Sequence, residues 1–248
     1  EKLPDADCRL PLRLPERDSI EFEYLWLLEE AVLGINHANA LHDWRVELSP
    51  GVTVTPGIAL RQIHIMDWNC APRMHTGGVL SAQSLKKSVR RTMTIDGEST
   101  VELDFSSMVP RMVYHSLRLE ATGDVYRCDQ VFPRLAEYAG GDKAFRTFVR
   151  NILKKATNIL FNVSLRGKAI QSVSHRCRQY LRDDRFRLFF RKIEELTFRS
   201  FIDRIEKVHP AIHGQFYRQT GMEMMTHEAL IMLLSLMEIT STGRAALG

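Results

Sequence analysis

Between positions 142 and 162 apolar residues recur at helical spacing: Phe145, Phe148, Val149, Ile152, Leu153, Ile159 and Leu160. Residues three and four apart stack on one side of an α-helix, so this pattern predicts a long amphipathic helix from Asp142 to about Asn162. Its stripe must be covered, and the surrounding segments offer the cover. A short helix is expected over 131–138, ending at Gly140-Gly141, with further helices over 171–180, 185–207, 210–220 and 227–239. Another is expected over 21–36, with Phe22, Leu25, Trp26, Leu28, Val32 and Leu33 as its apolar positions. Phe186, Phe189, Phe190, Phe198 and Phe201 lie among arginines and read as the buried side of an amphipathic helix. Met222, Met224, Met225 and Met232 read as core filler, since Met adapts to irregular gaps. With 248 residues, 44% apolar and 26% charged, the chain can build one large core or two small ones.

Strand signals are few. Residues 51–56 are short and β-branched between Pro50 and Gly57 and suit a strand or extended loop. Residues 91–97 run through an Asp96-Gly97 turn towards Val101–Asp104, which predicts a hairpin. Residues 1–18 carry Pro4, Pro11 and Pro15 and read as an extended lead-in. No internal repeat or low-complexity tract occurs.

Charge narrows the function classes. The formal net charge is +4, yet residues 146–218 hold seventeen Lys and Arg against six Asp and Glu, a local excess of eleven. A basic block of that size on helices is the electrostatic footprint of a polyanion partner. No apolar run approaches the length of a membrane span, and no charged-then-apolar leader opens the chain. Cys8, Cys70, Cys128 and Cys177 lack CxxC spacing and read as buried reduced thiols. A soluble, cytoplasmic protein with no membrane partner is expected.

The stretch 94–114 carries the chemistry. Val101, Leu103 and Phe105 alternate with Glu102 and Asp104, the period-2 pattern of a half-buried strand with both carboxylates on one face. Ser106 and Ser107 can cap a following helix, Pro110 suits its first turn, and Met108, Met112 and Val113 form a helical face. A carboxylate at a strand tip beside a helix start is a place to hold a divalent cation with a nucleoside triphosphate. Other constellations are weaker. His209 and His213 have the i, i+4 spacing of a metal pair, but no third ligand is near, and Pro210 at a helix start accounts for them better. Neither a GxSxG elbow nor a P-loop is present.

The segment Glu102-Leu-Asp-Phe-Ser-Ser-Met-Val-Pro-Arg-Met-Val-Tyr114 resembles motif A of family A (Pol I-like) DNA polymerases, in the form found in phage and mobile-element proteins. Gly77-Gly78, Gln83-Ser84-Leu85 and residues 90–98 resemble the lead-in to that motif. Arg150-Asn-Ile-Leu-Lys154, with Asn162 eight residues later, resembles motif B, the fingers helix. The blocks stand in the family's order across roughly residues 60 to 240.

This resemblance implies a helix-rich α+β fold, a polymerase palm with a small antiparallel sheet plus helical fingers. The domains would be an N-terminal accessory or thumb-like region at 1–90, a first palm segment at 91–130, helical fingers with the basic region at 131–220, and a return helix at 221–248. Asp104 and the Phe105 carbonyl would bind Mg2+ or Mn2+, with Asp104 catalytic, in template-directed nucleotidyl transfer for DNA replication. Arg150, Lys154 and Asn162 would bind the incoming nucleoside triphosphate. Arg111, Arg166, Lys168, Arg176 and Arg178 would bind the nucleic-acid template-primer, with Arg61 and Arg73 as weaker candidates. Glu102 would be solvent-facing or salt-bridged.

Three departures from the family pattern stand out. Asn162 replaces the usual motif B aromatic, and Val109 stands where Glu or His is usual, which puts sugar selectivity in doubt. Residues 228–239 resemble the helix before motif C, but no His-Asp pair follows by Gly248, so motif C either lies further on or is lacking. A catalytically inactive polymerase-fold nucleic-acid-binding protein is therefore the alternative. A helical protein whose basic face meets an acidic partner is a third reading.

Overall fold

The computed structural model describes residues 19–63, 73–78, 80–102 and 106–247. The expected lead-in at 1–18, the side chain of Arg73, and Leu103, Asp104 and Phe105 of motif A lie outside the described residues. The chain divides into two units, one of residues 1–104 with 225–248 and the other of 105–224. It is helix-rich with a small antiparallel sheet, the α+β class.

The first unit opens with α1 (Ile20–Ala40) and continues into β1 (Trp44–Ser49), β2 (Val52–Val54), β3 (Leu60–Ile63) and β4 (Arg73–Thr76). Then come a short helix α2 (Lys87–Arg90), β5 (Thr94–Ile95) and β6 (Glu98–Ser99). The main sheet has the order β2-β1-β5-β6, with every pair antiparallel, and β3 pairs separately with β4. Asp96 (φ 53°) and Gly97 (φ 83°) both take left-handed backbone, as a two-residue hairpin turn requires. That part of the expected hairpin is present.

Of the expected strand at 101–104, only Val101 and Glu102 lie among the described residues. Pairing stops at Ser99, Val101 and Glu102 are irregular, and Val101 is 81% exposed rather than turned into a core. At Val101 the alternation overstated burial, because the two-residue ladder had already ended.

Helix α1 packs Leu28 and Ile35 against Leu60, Met74, Leu233 and Leu236. Trp26 and Leu33, two of the apolar positions that predicted the helix, are exposed. The run Leu25-Trp-Leu-Leu28 points apolar groups in all directions around the helix, so the sequence leaves its inner face ambiguous. Two amides, one half-buried and one buried, fix the packing. Asn36 donates to the Leu60 carbonyl at 2.8 Å and accepts from its N–H at 2.6 Å. Asn39 pairs with Ala246 in the same way, at 2.7 and 2.9 Å.

The second unit contains α3 (Met108–Ser116), α4 (Cys128–Val131), α5 (Leu135–Ala139), α6 (Lys143–Asn162), α7 (Arg166–Arg178), α8 (Asp184–Leu188) and α9 (Phe198–Val208). Helix α10 (Thr220–Ser241) begins in it and supplies Met224 to its core. The long helix is α6, and Asp142 caps it by accepting from the Phe145 N–H at 3.0 Å. Its expected stripe is buried or half-buried throughout.

Phe186, Phe189, Phe190 and Phe201 are buried among Phe132, Phe145 and their neighbours, with ring centroids 5.4–5.7 Å apart. Cys128 and Cys177 are free and buried, and burial pushes their thiols up to about 12 and about 11.

Three expected helices are broken or replaced by turns. The expected helix at 131–138 is two, α4 and α5, because Pro133 interrupts it. The expected helix at 185–207 is broken into α8, a π-turn at Phe189–Ile193 and α9. Between them Glu194 turns inward, 2% exposed, and Glu195 takes φ 56°. Glu194 Oε1 accepts from the Arg134 N–H at 2.9 Å and Glu194 Oε2 from Arg204 at 2.6 Å. Thr197 and Ser200 then restart the chain with a reciprocal capping box.

The expected helix at 210–220 is a set of turns with one 3₁₀ turn at His213–Gln215. Tyr217 (φ 64°) and Gln219 (φ 59°) are left-handed, and the Tyr217 N–H bonds across to the Leu160 carbonyl at 2.8 Å. His209 is consequently not at a helix start but fully buried, its Nδ1 2.9 Å from the Tyr114 hydroxyl. Burial, reinforced by the charge of Arg127, lowers it to about 4, so it is a neutral core histidine.

Candidate nucleic-acid and nucleotide interface

Helix α6 turns one side into the core, and off that side runs a polar row at four-residue steps, Arg150, Lys154, Asn158 and Asn162. Such an i±4 row forms a ridge along a helix. Arg150 is anchored. Asp124 Oδ1 accepts from its Nε at 3.1 Å and from its Nη2 at 2.8 Å, and the guanidinium lies 5.2 Å from the Tyr126 ring centre. Lys154 is exposed with no acidic partner among the described residues.

Asn158 has a buried side-chain carbonyl oxygen with no hydrogen-bond partner among the described residues. Asn162 donates from Nδ2 to the Asn158 backbone carbonyl at 2.7 Å. The Asn162 amide also lies over Gly221, where an added Cβ would meet its Oδ1 at 2.5 Å. Only glycine fits there without a shift.

The arginines and lysines expected to hold nucleic acid divide into two kinds. Arg111 is a strut, donating to the carbonyls of Ser106 at 3.0 Å, Gly123 at 3.1 Å and Ala121. Arg166 is also tied down, with Glu206 accepting from its Nε at 2.9 Å and Asp203 accepting from Nη2. Burial acts to raise the Glu206 carboxyl, but hydrogen bonds from Arg166 and the Tyr217 hydroxyl hold it below the usual range. Lys168, Arg176 and Arg178 are exposed without acidic partners among the described residues, as are Arg182, Arg199 and Arg218. Arg178 and Arg182 line a shallow depression of about 530 Å³ with His175. The second unit therefore presents free positive charge at its surface, while Arg150 and Arg166 are paired with carboxylates and Arg111 with carbonyls.

Motif A has less to show. Asp104 and Phe105 lie outside the described residues. Glu102 is salt-bridged, as expected, with Arg90 Nη2 at 2.8 Å, and that bond lowers its carboxyl. Among the described residues no group of three His, Cys, Asp or Glu converges as metal ligands would.

Ser107 occupies the N-cap of α3, but in left-handed backbone (φ 57°) and without the expected side-chain capping bond. Pro110 sits in the first turn of that helix, as expected.

Several residues here carry no signal in the sequence. Asp124 sits 26 positions from Arg150, and Gly221 lies 59 positions from Asn162, so each pair is joined only by the tertiary fold. Asn158 was within reach of sequence reasoning, since it completes the four-residue row. No helix among the described residues is long and apolar enough to cross a membrane. No protein-family model matches the chain, and neither a curated protein nor a solved structure matches it.

Proposed function

We propose that the chain is the palm and fingers of a family A-like DNA polymerase, of phage, plasmid or bacterial type, acting on primed nucleic acid in the cytoplasm. The α6 row of Arg150, Lys154, Asn158 and Asn162 carries this reading. Two cations one turn apart suit the β- and γ-phosphates of a nucleoside triphosphate, Arg150 by paired N–H groups and Lys154 as a point charge. The exposed Asn162 amide offers a hydrogen bond to the rest of the nucleotide. Lys168, Arg176 and Arg178 would meet the phosphate backbone of the template-primer. Asp104 and the Phe105 carbonyl would hold Mg2+ or Mn2+, which when bound supplies charge stabilisation for phosphoryl transfer.

Incorporation of a labelled nucleotide into a primed DNA template, with Mg2+ or Mn2+, tests the proposal. The wild-type chain is expected to extend the primer, and Asp104→Asn to abolish extension while keeping its circular dichroism spectrum. Undiminished extension by Asp104→Asn removes the metal role. A catalytically inactive polymerase-fold nucleic-acid-binding protein is the second reading, favoured by the Asp124 carboxylate that already occupies Arg150. Under it, both chains bind DNA and neither incorporates nucleotide.

A further inference from the structure

Within the second unit, a solvent-open cleft of about 380 Å³ is lined by cations together with apolar residues. It holds none of the residues assigned above to the triphosphate or the template-primer. Three cations border it, Arg127, Arg204 and Lys207. Arg204 is neutralised, since its guanidinium bonds the buried Glu194 carboxylate at 2.6 Å and the Val131 carbonyl at 3.1 Å. Neither Arg127 nor Lys207 has an acidic partner among the described residues. The carboxylates that flank these cations along the chain are taken: Asp203 and Glu206 by Arg166, Asp124 by Arg150, and Asp129 by Arg146. The cleft therefore keeps about two positive charges that nothing in the unit offsets.

Its remaining surface is of the opposite character. Pro133, Val208 and Pro210 give an apolar ledge, and the Gln130 amide adds one donor group and one acceptor. Uncompensated cations beside an apolar ledge select a ligand with an anionic end and a flat apolar body. The volume lies towards the small end of the roughly 300–1,000 Å³ usual for ligand pockets, which suits one such unit.

From this pairing of charge and shape we infer that the cleft is a binding site for a single phosphorylated nucleoside. Its phosphate sits between Arg127 and Lys207, its base lies on Pro133 and Pro210, and Gln130 meets the base edge. The ligand is either a free nucleotide or the phosphorylated end of a single strand. The inference depends on neither Asp104 nor the α6 row, so its failure leaves the polymerase reading intact.

Isothermal titration of the full chain at low salt, with adenosine 5′-monophosphate, adenosine and inorganic phosphate, tests the site. The monophosphate is expected to bind more tightly than either fragment. Lys207→Gln is expected to weaken it about tenfold, as loss of one charge-assisted contact does. Lys143→Gln, an exposed cation outside the cleft, is expected to leave the affinity unchanged. Arg127→Gln should abolish binding. Because Arg127 also adjoins the Tyr114 hydroxyl, its melting curve accompanies the titration, and Lys207→Gln carries the test if Arg127→Gln does not fold. Equal affinity for phosphate alone or for adenosine alone, or binding that Lys207→Gln leaves unchanged, overturns the assignment. A 5′-phosphorylated tetranucleotide that displaces the monophosphate makes a strand end the ligand, and one that does not leaves the free nucleotide.

Discussion

Asp124 holds Arg150 at the start of the polar row on α6, accepting two hydrogen bonds from its guanidinium through one oxygen. Its other oxygen accepts from the Cys128 N–H at 3.1 Å, so a single carboxylate joins the α6 cation to the first turn of α4. Both side chains are a little over a third exposed, so solvent screens the pair. Asp124→Asn is expected to lower stability by about 1 kcal/mol in urea unfolding, since charged hydrogen bonds are weakened at partly exposed sites. The same variant should change triphosphate affinity, because Arg150 loses its anchor and its competitor together. A titration that shows no change in affinity contradicts a nucleotide role for Arg150.

Gly221 offers a test of reversed sign. In a helix interior Gly→Ala ordinarily stabilises by up to about 1 kcal/mol. Here the new methyl would strike the Asn162 amide, so Gly221→Ala is expected to destabilise by about 1–3 kcal/mol through overpacking. In an Asn162→Ala background the clash disappears and the same change should become neutral or stabilising. Additive effects of the two substitutions would contradict the contact.

Both pairs show where the sequence stops being informative. Helix α6 was legible from end to end because its apolar spacing and Asp142 cap are local features. The Asp96-Gly97 turn was legible for the same reason. Glu194 was not, because a charged residue inside a helical run reads as solvent-facing until Arg204 is placed beside it. The turns at 210–220 were equally hidden, since the bond from the Tyr217 N–H to Leu160 is long-range and the residues themselves suit a helix. At the candidate site, the cations were visible by type, but which of them are struts and which are free is decided by partners far along the chain.

The Glu194–Arg204 pair gives a large expected effect. Truncating Arg204 leaves a carboxylate that is 2% exposed without its counter-charge. Arg204→Ala is therefore expected to cost about 3–5 kcal/mol, as removal of one partner from a buried pair does. Arg199→Ala, on the same helix but exposed, should change stability by no more than about 0.5 kcal/mol. Chemical denaturation of the two variants distinguishes a buried strut from a surface charge.

His209 predicts a pH dependence. Unfolded, it binds a proton near 6.5; folded, burial holds it to about 4. The unfolded state therefore takes up the proton first as pH falls. Stability tied to His209 is complete above about pH 6.5 and is lost progressively towards pH 4, to a total of about 3 kcal/mol. His209→Gln should flatten the stability curve in that window relative to wild type, with urea midpoints between pH 4 and 7 as the readout. Parallel curves for the two proteins would contradict the buried neutral state.

Beside the α6 row, the functional account needs free positive charge on the second unit to meet nucleic acid, and the salt dependence of DNA affinity measures that charge most directly. Fluorescence anisotropy with a labelled primed template should give a logarithm of affinity that falls linearly with the logarithm of salt concentration. Lys168→Gln and Arg176→Gln should each lower the slope by about 1, as loss of one phosphate contact does. Absence of binding at low salt, or a slope unchanged by both substitutions, would contradict the account.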